Sequence, residues 1–445
     1  MYKYLIYEQL KQHAGDNKAF HMPGHKADAE FKKYFPVADI DVTELSYSDN
    51  LACPEGVIAE AQKDIASILG AAHSYILTDG SSLGVLSMMY AAAKRGTKVI
   101  VSRNCHQSVW NACILFGVEP VIVQGKTENG VILPPEPEVV SRLIVNDVTI
   151  SGMIVTSPDY YGNIAPLKEY AEVLKKHGRI FMVDGAHGAH LAFEPEREGY
   201  AGVYADVWVD GAHKTLSTLT QGAILNVCDT DLIADIEEGL SLMRTTSPSY
   251  PIMASVEYGV KRLANNPKLL AAAKAAVEPI RKTKNITLYP SADWTKVVVD
   301  CEPFKVSADL VAEALEKKNI YCEFSDGRYL LFYISPSVTQ ADVKLLIKSV
   351  KSALSSKKIA GSYRHKVAIA PTSRTYSFQY ALRQTTEWVD LSDAVGRMSA
   401  CNIGITPPCI PVCVTGEIIT AAAVRALSVG KTYGLSDGKV KVVKK

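Results

Sequence analysis

Short apolar runs alternate with stretches of helical periodicity through the first two thirds of the chain. Apolar runs that end at turn residues are typical of buried strands, and helices between them indicate repeated βα units. The candidate strands are 75–78, 98–102, 119–123, 151–156, 180–184, 207–210 and 222–227. Candidate helices between them include 82–94 and 167–177. We therefore predict an α/β fold with a mostly parallel seven-stranded sheet flanked by helices.

The pattern changes after residue 250. A helical stretch dense in Ala and Lys, 252–284, predicts a long connector. After it, a strand, a helix, two strands and a second helix are predicted at 294–299, 308–318, 320–324, 329–334 and 339–354, an order that implies a small α+β domain. The predicted domains are a large domain with the N-terminal segment and the connector, a small α+β domain and a C-terminal domain, at 1–284, 285–358 and 359–445.

Composition narrows the function classes. The 445 residues carry 48 Lys and Arg against 47 Asp and Glu, a net charge of +1. This balance argues against a nucleic-acid partner, and no apolar run approaches the roughly 18 residues of a membrane span. Nine Cys without a CxxC pair fit reduced thiols, and no secretory signal is visible. We expect a cytoplasmic protein without a membrane or nucleic-acid partner.

The sharpest candidate for chemistry is Lys214, which follows the predicted strand 207–210 in a Val-Asp-Gly-Ala-His-Lys-Thr segment. Asp184 ends another predicted strand, 180–184. Ligands of open α/β sheets bind at the carboxyl ends of the strands. A pyridoxal phosphate site needs this pair, because Lys forms the Schiff base and the carboxylate keeps the pyridine nitrogen protonated. A surface lysine is the alternative interpretation of Lys214.

Two further segments follow predicted strands. Gly80, Ser81 and Ser82 open a predicted helix, where backbone N–H groups and hydroxyls can hold an anion. The segment is neither GxGxxG nor a Walker A sequence, which disfavours dinucleotides and nucleoside triphosphates. An ordinary Ser-capped helix is the alternative. His106 could stack on a cofactor ring, although a capping or core histidine would give the same local sequence.

A series of motifs in order along the chain resembles the Orn/Lys/Arg decarboxylases, pyridoxal phosphate enzymes of the aspartate aminotransferase fold (fold type I). The resemblance rests on His21-Met-Pro-Gly-His-Lys26, Asp41-Val-Thr-Glu44, Pro54-Glu-Gly56, Gly80-Ser-Ser82, Cys105-His106, Thr156-Ser-Pro158, Tyr161-Gly162, Asp184-Gly-Ala-His187, His213-Lys-Thr215, Thr245-Thr-Ser-Pro-Ser-Tyr250, Pro407-Pro408 and Gly416-Glu417. It implies a decarboxylase that uses pyridoxal 5'-phosphate.

The resemblance assigns roles to individual residues. It makes Lys214 the Schiff-base lysine, Asp184 the partner of the pyridinium nitrogen and His106 the residue stacked on the ring. It places His187 beside the cofactor's 3-oxygen. The residues implied at the phosphate are Gly80, Ser81, Ser82 and His213.

The resemblance also implies partners and a substrate. Thr245 and Thr246 would face the cofactor of a neighbouring subunit, which predicts a homodimer with shared active sites. His25 and Glu417 are candidate substrate contacts, Glu417 for a distal cation, although Glu417 could instead cap a predicted helix at 418–427. The predicted reaction is decarboxylation of arginine to agmatine and CO2 in polyamine biosynthesis. Lysine and ornithine are the alternative substrates. Arginine is preferred because the short chain resembles the biosynthetic members of the family, which lack the extra N-terminal domain of the large inducible members.

The sequence departs from the family pattern at two places. Gly211 stands where many relatives have Ser or Thr, which predicts the loss of one phosphate hydroxyl. Pro407-Pro-Cys409 and Thr415-Gly-Glu417 replace PPG and PGE patterns, which leaves the substrate open.

Other functions also stay open. An aminotransferase or a carbon–sulfur lyase of the same fold would use the same cofactor. A metal site at His187, His190 and His213, or a non-catalytic interaction protein, are the alternatives outside this group.

Overall fold

The computed structural model describes residues 1–14, 18–363, 376–406, 409–428 and 431–445. The α-helices are α1 Leu5–Gln12, α2 Ala29–Tyr34, α3 Val57–Leu69, α4 Gly80–Ala93, α5 Gln107–Phe116, α6 Pro137–Asn146, α7 Leu167–Lys176, α8 Ala212–Thr215, α9 Ile233–Met243, α10 Tyr250–Asn265, α11 Lys268–Arg281, α12 Ala308–Glu316, α13 Gln340–Leu354, α14 Phe378–Leu382 and α15 Ala421–Leu427. Short 3-10 helices lie at Pro36–Ile40, Ala189–Phe193, Ala201–Val203, Thr230–Leu232, Glu302–Phe304 and Leu391–Ala394.

The strands follow the same chain order. They are β1 His73–Leu77, β2 Lys98–Ser102, β3 Glu119–Val123, β4 Thr127–Glu128, β5 Val131–Ile132, β6 Ile150–Thr156, β7 Ile180–Gly185, β8 Val207–Asp210, β9 Ala223–Val227, β10 Lys296–Asp300, β11 Phe324–Ser325, β12 Tyr329–Tyr333, β13 Thr386–Asp390, β14 Ile403–Ile405, β15 Ile410–Cys413, β16 Thr432–Tyr433, β17 Leu435–Ser436 and β18 Lys439–Val443.

The predicted seven-stranded sheet is confirmed, with strand order β1-β9-β8-β7-β6-β2-β3. Strand β8 pairs in parallel with β7, and β2 pairs in parallel with β6 and β3. Strand β9 runs antiparallel to its neighbours β1 and β8. The central strands β6, β7, β8 and β9 are buried along their whole length, which explains why their sequences are continuous apolar runs.

Two compact units make up the chain. The first contains residues 1–91, 181–272 and 335–337. In this unit, helix α4 lies directly on strand β8, since a Cβ at Gly84 would stand 2.5 Å from a methyl of Val209. Only glycine permits this approach, so Gly84 fixes the distance between the helix and the strand.

The second unit contains residues 92–180, 273–334 and 338–445. The predicted β-α-β-β-α order is confirmed by β10, α12, β11, β12 and α13, with the strands in antiparallel order β10-β12-β11. A capping box of Thr339 and Asp342 starts α13. Tyr161, Phe324 and Tyr329 belong to the aromatic core of this unit.

The C-terminal part of the second unit has two small antiparallel sheets, β13-β18-β17 and β15-β14-β16. Ile403, Val412, Ile419 and Val440 form their shared core with neighbouring apolar residues. The domain boundaries of the sequence analysis stay predictions.

One predicted element is corrected. The helical stretch 252–284 is two helices, α10 and α11, with Asn266 between them at φ −135° and ψ 66°. Pro267 follows Asn266, and a residue before proline avoids the helical conformation. Within the described ranges, no helix combines the length and the apolar character that a membrane span requires.

Candidate functional site

Asp184 lies at the carboxyl end of β7 and is only 2% exposed. Its Oδ1 accepts a hydrogen bond of 3.2 Å from the Ala186 amide. Among the described residues, the Ala186 amide is the one hydrogen-bond donor to the Asp184 carboxylate. A buried carboxylate costs free energy unless it is well paired. The position therefore suits a ligand that brings a hydrogen-bond donor or a positive charge.

Lys214 and His187 meet beside the ends of two adjacent strands. Strands β7 and β8 pair with Asp184 opposite Val209, so the turns that follow them leave the sheet side by side. His187 follows β7, and Lys214 lies on the short helix α8 after β8. The Lys214 Nζ is 3.0 Å from Nε2 of His187. The structure thus brings three predicted site residues to one edge of the sheet.

The Gly80-Ser81-Ser82 turn starts the 14-residue helix α4. Gly80 has a φ of +76°, which favours glycine, and its amide donates to the carbonyl of Gln221 at 2.9 Å. Ser81 is half-buried and Ser82 is exposed. The first amides of a helix have no partner within the helix, so this turn can bind an anion.

Gly211 precedes the lysine helix at a point of close backbone contact. A Cβ at this position would stand 2.4 Å from the carbonyl oxygen of Ala186. A Ser or Thr here would have to move the turn that follows Asp184. The departure from the family pattern is thus more than a missing hydroxyl, because the two strand ends approach too closely for any side chain.

His213 donates from Nδ1 to the carbonyl of Gly222 at 3.0 Å. A carbonyl only accepts, so the neutral ring keeps a lone pair on Nε2. Burial lowers the pKa of His213, and the neighbouring Lys214 lowers the pKa further. His213 could donate to a phosphate only in the protonated form, which this environment disfavours. Its predicted phosphate contact stays a prediction.

His106 belongs to the second unit and caps helix α5 there. Its Nδ1 accepts from the Ser108 amide at 3.2 Å and lies 3.0 Å from the Ser108 hydroxyl. The capping interpretation of the sequence is therefore correct, and it leaves the ring half-buried. Because Nδ1 accepts, the proton of the neutral ring is on Nε2.

The environment of Glu417 differs from the two predicted from the sequence, an open substrate contact and a surface helix cap. It is 1% exposed, and its carboxylate accepts from Arg103 Nη1 at 2.7 Å and from Arg103 Nη2 at 3.1 Å. The Val414 amide donates to Glu417 Oε2 at 2.8 Å. Helix α15 begins later and is capped by Thr420, so the helix-capping alternative for Glu417 is wrong. Arg103 was missed, since nothing in the sequence links residues 314 positions apart.

The structure gives other contacts to the remaining candidates. His25 stacks on Phe31 at 4.6 Å, and its Nε2 is 3.2 Å from Asp41 Oδ2. Thr245 and Thr246 are exposed, and the Thr245 hydroxyl accepts from the Ser247 amide at 3.2 Å. The predicted Pro-Pro turn at 407–408 lies outside the described residues.

Sequence comparison identifies the family. The Orn/Lys/Arg decarboxylase major domain matches residues 5–292, and the C-terminal domain of the same decarboxylases matches 357–431. This chain belongs to the Orn/Lys/Arg decarboxylase family.

Individual relatives agree with the family match. An uncharacterized protein of Bacillus subtilis, YaaO, is 30% identical over 95% of this chain and 93% of its own. An arginine decarboxylase of the same organism is 28% identical over 93% of this chain and 91% of its own. The constitutive lysine decarboxylase of Escherichia coli has the same fold, with a TM-score of 0.80, 20% identity and coverage of 99% of this chain and 82% of that one.

In this Orn/Lys/Arg decarboxylase, Asp210 is a buried residue that the sequence analysis did not single out. Its Oδ2 accepts from Tyr200, Trp208 and Asn226, each at 2.9 Å. Burial raises the pKa of Asp210 to about 7. The repeated Val-Asp-Gly-Ala-His sequence at 183–187 and 209–213 was the available signal, since it places Asp210 at a strand end as it does Asp184.

The metal alternative finds no support in the described residues of this decarboxylase. Among them, no group of three or more His, Cys, Asp and Glu side chains is arranged to hold an ion. His187 instead contacts the Lys214 amine.

Proposed function

We propose that this Orn/Lys/Arg decarboxylase binds pyridoxal 5'-phosphate and decarboxylates a basic amino acid, with arginine preferred. The observation that carries the proposal is the Lys214 Nζ held 3.0 Å from His187 Nε2 at the sheet edge where Asp184 ends its strand. The Bacillus subtilis arginine decarboxylase that matches most of the chain supports arginine.

The residues of the first unit fit the cofactor. Asp184 offers a buried carboxylate whose donor among the described residues is one amide, which suits the pyridinium N–H. The space beside Gly80 is open, since a Cβ built on this residue would have no neighbouring atom of the described structure within 4 Å. With Ser81 and Ser82 it would hold the phosphate at the positive end of α4. Lys214 would hold the aldehyde carbon, with His187 beside it.

Each residue has a chemical task in the proposed reaction. When bound, pyridoxal phosphate supplies an electron-accepting ring that stabilises the charge left as the carboxylate departs as CO2. Asp184 would keep a proton on the ring nitrogen, because a nearby carboxylate favours the charged form. His187 orients the Lys214 amine and can exchange a proton with it across 3.0 Å. Ser81 and Ser82 would hold the phosphate in place.

Further parts of the proposal concern the second unit and assembly. His106 would contact the ring, with its Nδ1 fixed by the helix it caps. The exposed positions of Thr245 and Thr246 suit a homodimer in which they contact the neighbouring subunit's cofactor. Glu417 is better assigned as a positioning residue than as a substrate contact, because it is 1% exposed and already paired with the buried Arg103 guanidinium. A role in polyamine biosynthesis stays a prediction.

The test combines absorbance with product analysis. Purified protein reconstituted with pyridoxal phosphate should be yellow, and borohydride should fix the cofactor on Lys214. Arginine should give agmatine and CO2, separated from cadaverine and putrescine by chromatography. Lys214→Arg should abolish turnover, whereas Lys168→Arg, an exposed control on α7, should not. A keto acid product would indicate an aminotransferase, and the absence of cofactor colour would refute the proposal.

A further inference from the structure

Helix α10 packs one face against residues 216–222, the lysine loop, which follows Lys214 within the first unit. Ser255, Gly259 and Arg262 are spaced four and three residues apart, which places them on this face of the helix. The Ser255 hydroxyl accepts a hydrogen bond of 3.0 Å from the Leu219 amide. The helix therefore binds the loop by its backbone as well as by side-chain packing.

Gly259 brings the backbone of α10 directly against the lysine loop. A Cβ at this position would stand 2.4 Å from the Thr218 Cγ2 methyl and 3.3 Å from the Leu216 Cβ. Thr218 is β-branched and has few rotamers, so an added methyl group would move the loop backbone. Val256 makes a similar contact, since a Cβ at Gly222 would stand 2.7 Å from one of its methyl groups. Glycine thus sets the distance between helix and loop at two points.

Arg262 adds a charged contact to the same face. Its Nη1 donates to the Ser217 hydroxyl at 2.5 Å, and the Ser337 hydroxyl lies 3.4 Å from the same nitrogen. A hydrogen bond from a charged donor contributes more than a neutral one. Because Ser217 is three residues after Lys214, this bond restrains the loop close to the lysine.

The lysine loop is bonded back to the residue that precedes Lys214. The Gly222 carbonyl accepts from the His213 amide and from His213 Nδ1, each at 3.0 Å. The lysine is therefore held between two ends of one bonded loop, and a shift of this loop moves its backbone. The distance that depends on this arrangement is the 3.0 Å between Lys214 Nζ and His187 Nε2.

The opposite face of α10 is fixed by the N-terminal segment. Glu257 and Lys261, one helical turn apart, are fully buried and form an ion pair of 2.8 Å. The Glu257 carboxylate accepts from the amides of Leu5 at 2.6 Å and Ile6 at 2.8 Å. Lys261 also donates to the Lys3 carbonyl at 2.8 Å. Because α10 is anchored on this side, a larger residue at position 259 would displace the lysine loop and not the helix.

We infer that Gly259 and Arg262 are positioning residues that hold the Lys214 amine beside His187. This inference rests on the proposed decarboxylase function and adds two residues that act on it through the lysine loop. A misplacement of about 1 Å can cost about 100-fold in rate, even when the substituted residue is far from the chemistry. Both residues should therefore affect turnover, whereas recognition of the amino acid should not depend on them.

The first experiment measures the loop without the reaction. In Arg262→Met, hydrogen–deuterium exchange at the amides of 213–222 should be about 10- to 100-fold faster than in the wild type, since a hydrogen bond from a charged group is lost. Lys268→Met removes an exposed positive charge of α11 and is the matched control, with exchange like that of the wild type. Arg262→Lys keeps a charged donor and should restore part of the protection.

The second experiment measures turnover in the reconstituted holoenzyme. Gly259→Ala should lower kcat by about 10- to 100-fold and change the KM for arginine by less than about 3-fold. Alanine has a higher helix propensity than glycine, so a weaker helix would not explain this loss. In the protein without cofactor, acetic anhydride should label Lys214 faster in Gly259→Ala than in the wild type, with Lys168 as the internal reference.

The outcomes separate the positioning role from the function itself. Unchanged exchange in Arg262→Met, or an unchanged kcat in Gly259→Ala, would overturn the inference and leave the decarboxylase intact. A wild type that forms no agmatine, together with faster labelling of Lys214 in Gly259→Ala, would refute the proposed function and support the positioning role.

Discussion

The buried pair of Arg103 and Glu417 gives a prediction that distinguishes structure from substrate binding. Glu417→Gln keeps the shape of the side chain but removes its charge. The Arg103 guanidinium, 2% exposed, would then be buried without its counter-charge. Two charge-assisted contacts and the bond from the Val414 amide would be weakened together. Removal of one partner of a buried pair costs about 3–5 kcal/mol, so we expect a loss of that size in the free energy of unfolding.

The assay is urea unfolding followed by tryptophan fluorescence. Trp110 is a local reporter, because its ring centroid lies 5.9 Å from the Arg103 guanidinium carbon. The double variant Arg103→Met with Glu417→Met should recover most of the stability, since neither charge is then buried alone. The KM for arginine of the folded Glu417→Gln fraction should match that of the wild type.

Two results would refute this reasoning about Glu417. An unfolding midpoint equal to that of the wild type would show that the pair contributes no net stability. A raised KM with unchanged stability would return Glu417 to the role of a substrate contact.

Three further predictions concern the first unit. Asp184→Asn should keep the fold, judged by circular dichroism, but lower decarboxylation by about 100-fold or more, and near wild-type turnover would contradict its role. Gly211→Ser should lower the free energy of unfolding by about 1–3 kcal/mol in thermal unfolding, whereas Gly24→Ser, with open space around it, should not. Asp210 has a native pKa of about 7 against an ordinary value of 3.8, so the native state binds the extra proton and stability falls as pH rises between these values. Between pH 3.8 and about 7, the free energy of unfolding of the wild type should fall by up to about 4 kcal/mol relative to that of Asp210→Asn. Equal pH dependences of stability in the two proteins would exclude the effect.

The sheet was predictable because its strands are buried on both faces. Runs such as 180–184 and 207–210 are apolar throughout and end at Asp, so both their extent and the position of Asp184 were visible. The reversed direction of β9 was not predictable, because a fully buried strand has the same composition in either direction. The break between α10 and α11 was visible as Asn-Asn-Pro but was missed.

The local part of the site was also predictable, whereas its long-range part was not. Lys214 and His187 come from adjacent strand ends, and the sequence order of strands and turns is enough to bring them together. The bond between Arg103 and Glu417 joins residues 314 positions apart and depends on how the C-terminal sheets pack.

Gly84 gives helix α4 and strand β8 a spacing that no side chain adjusts. Its contact with Val209 sets the distance between the helix that begins at Gly80 and the strand that precedes Lys214. Any larger residue at position 84 would push these two segments apart, and with them the proposed phosphate and Schiff-base positions.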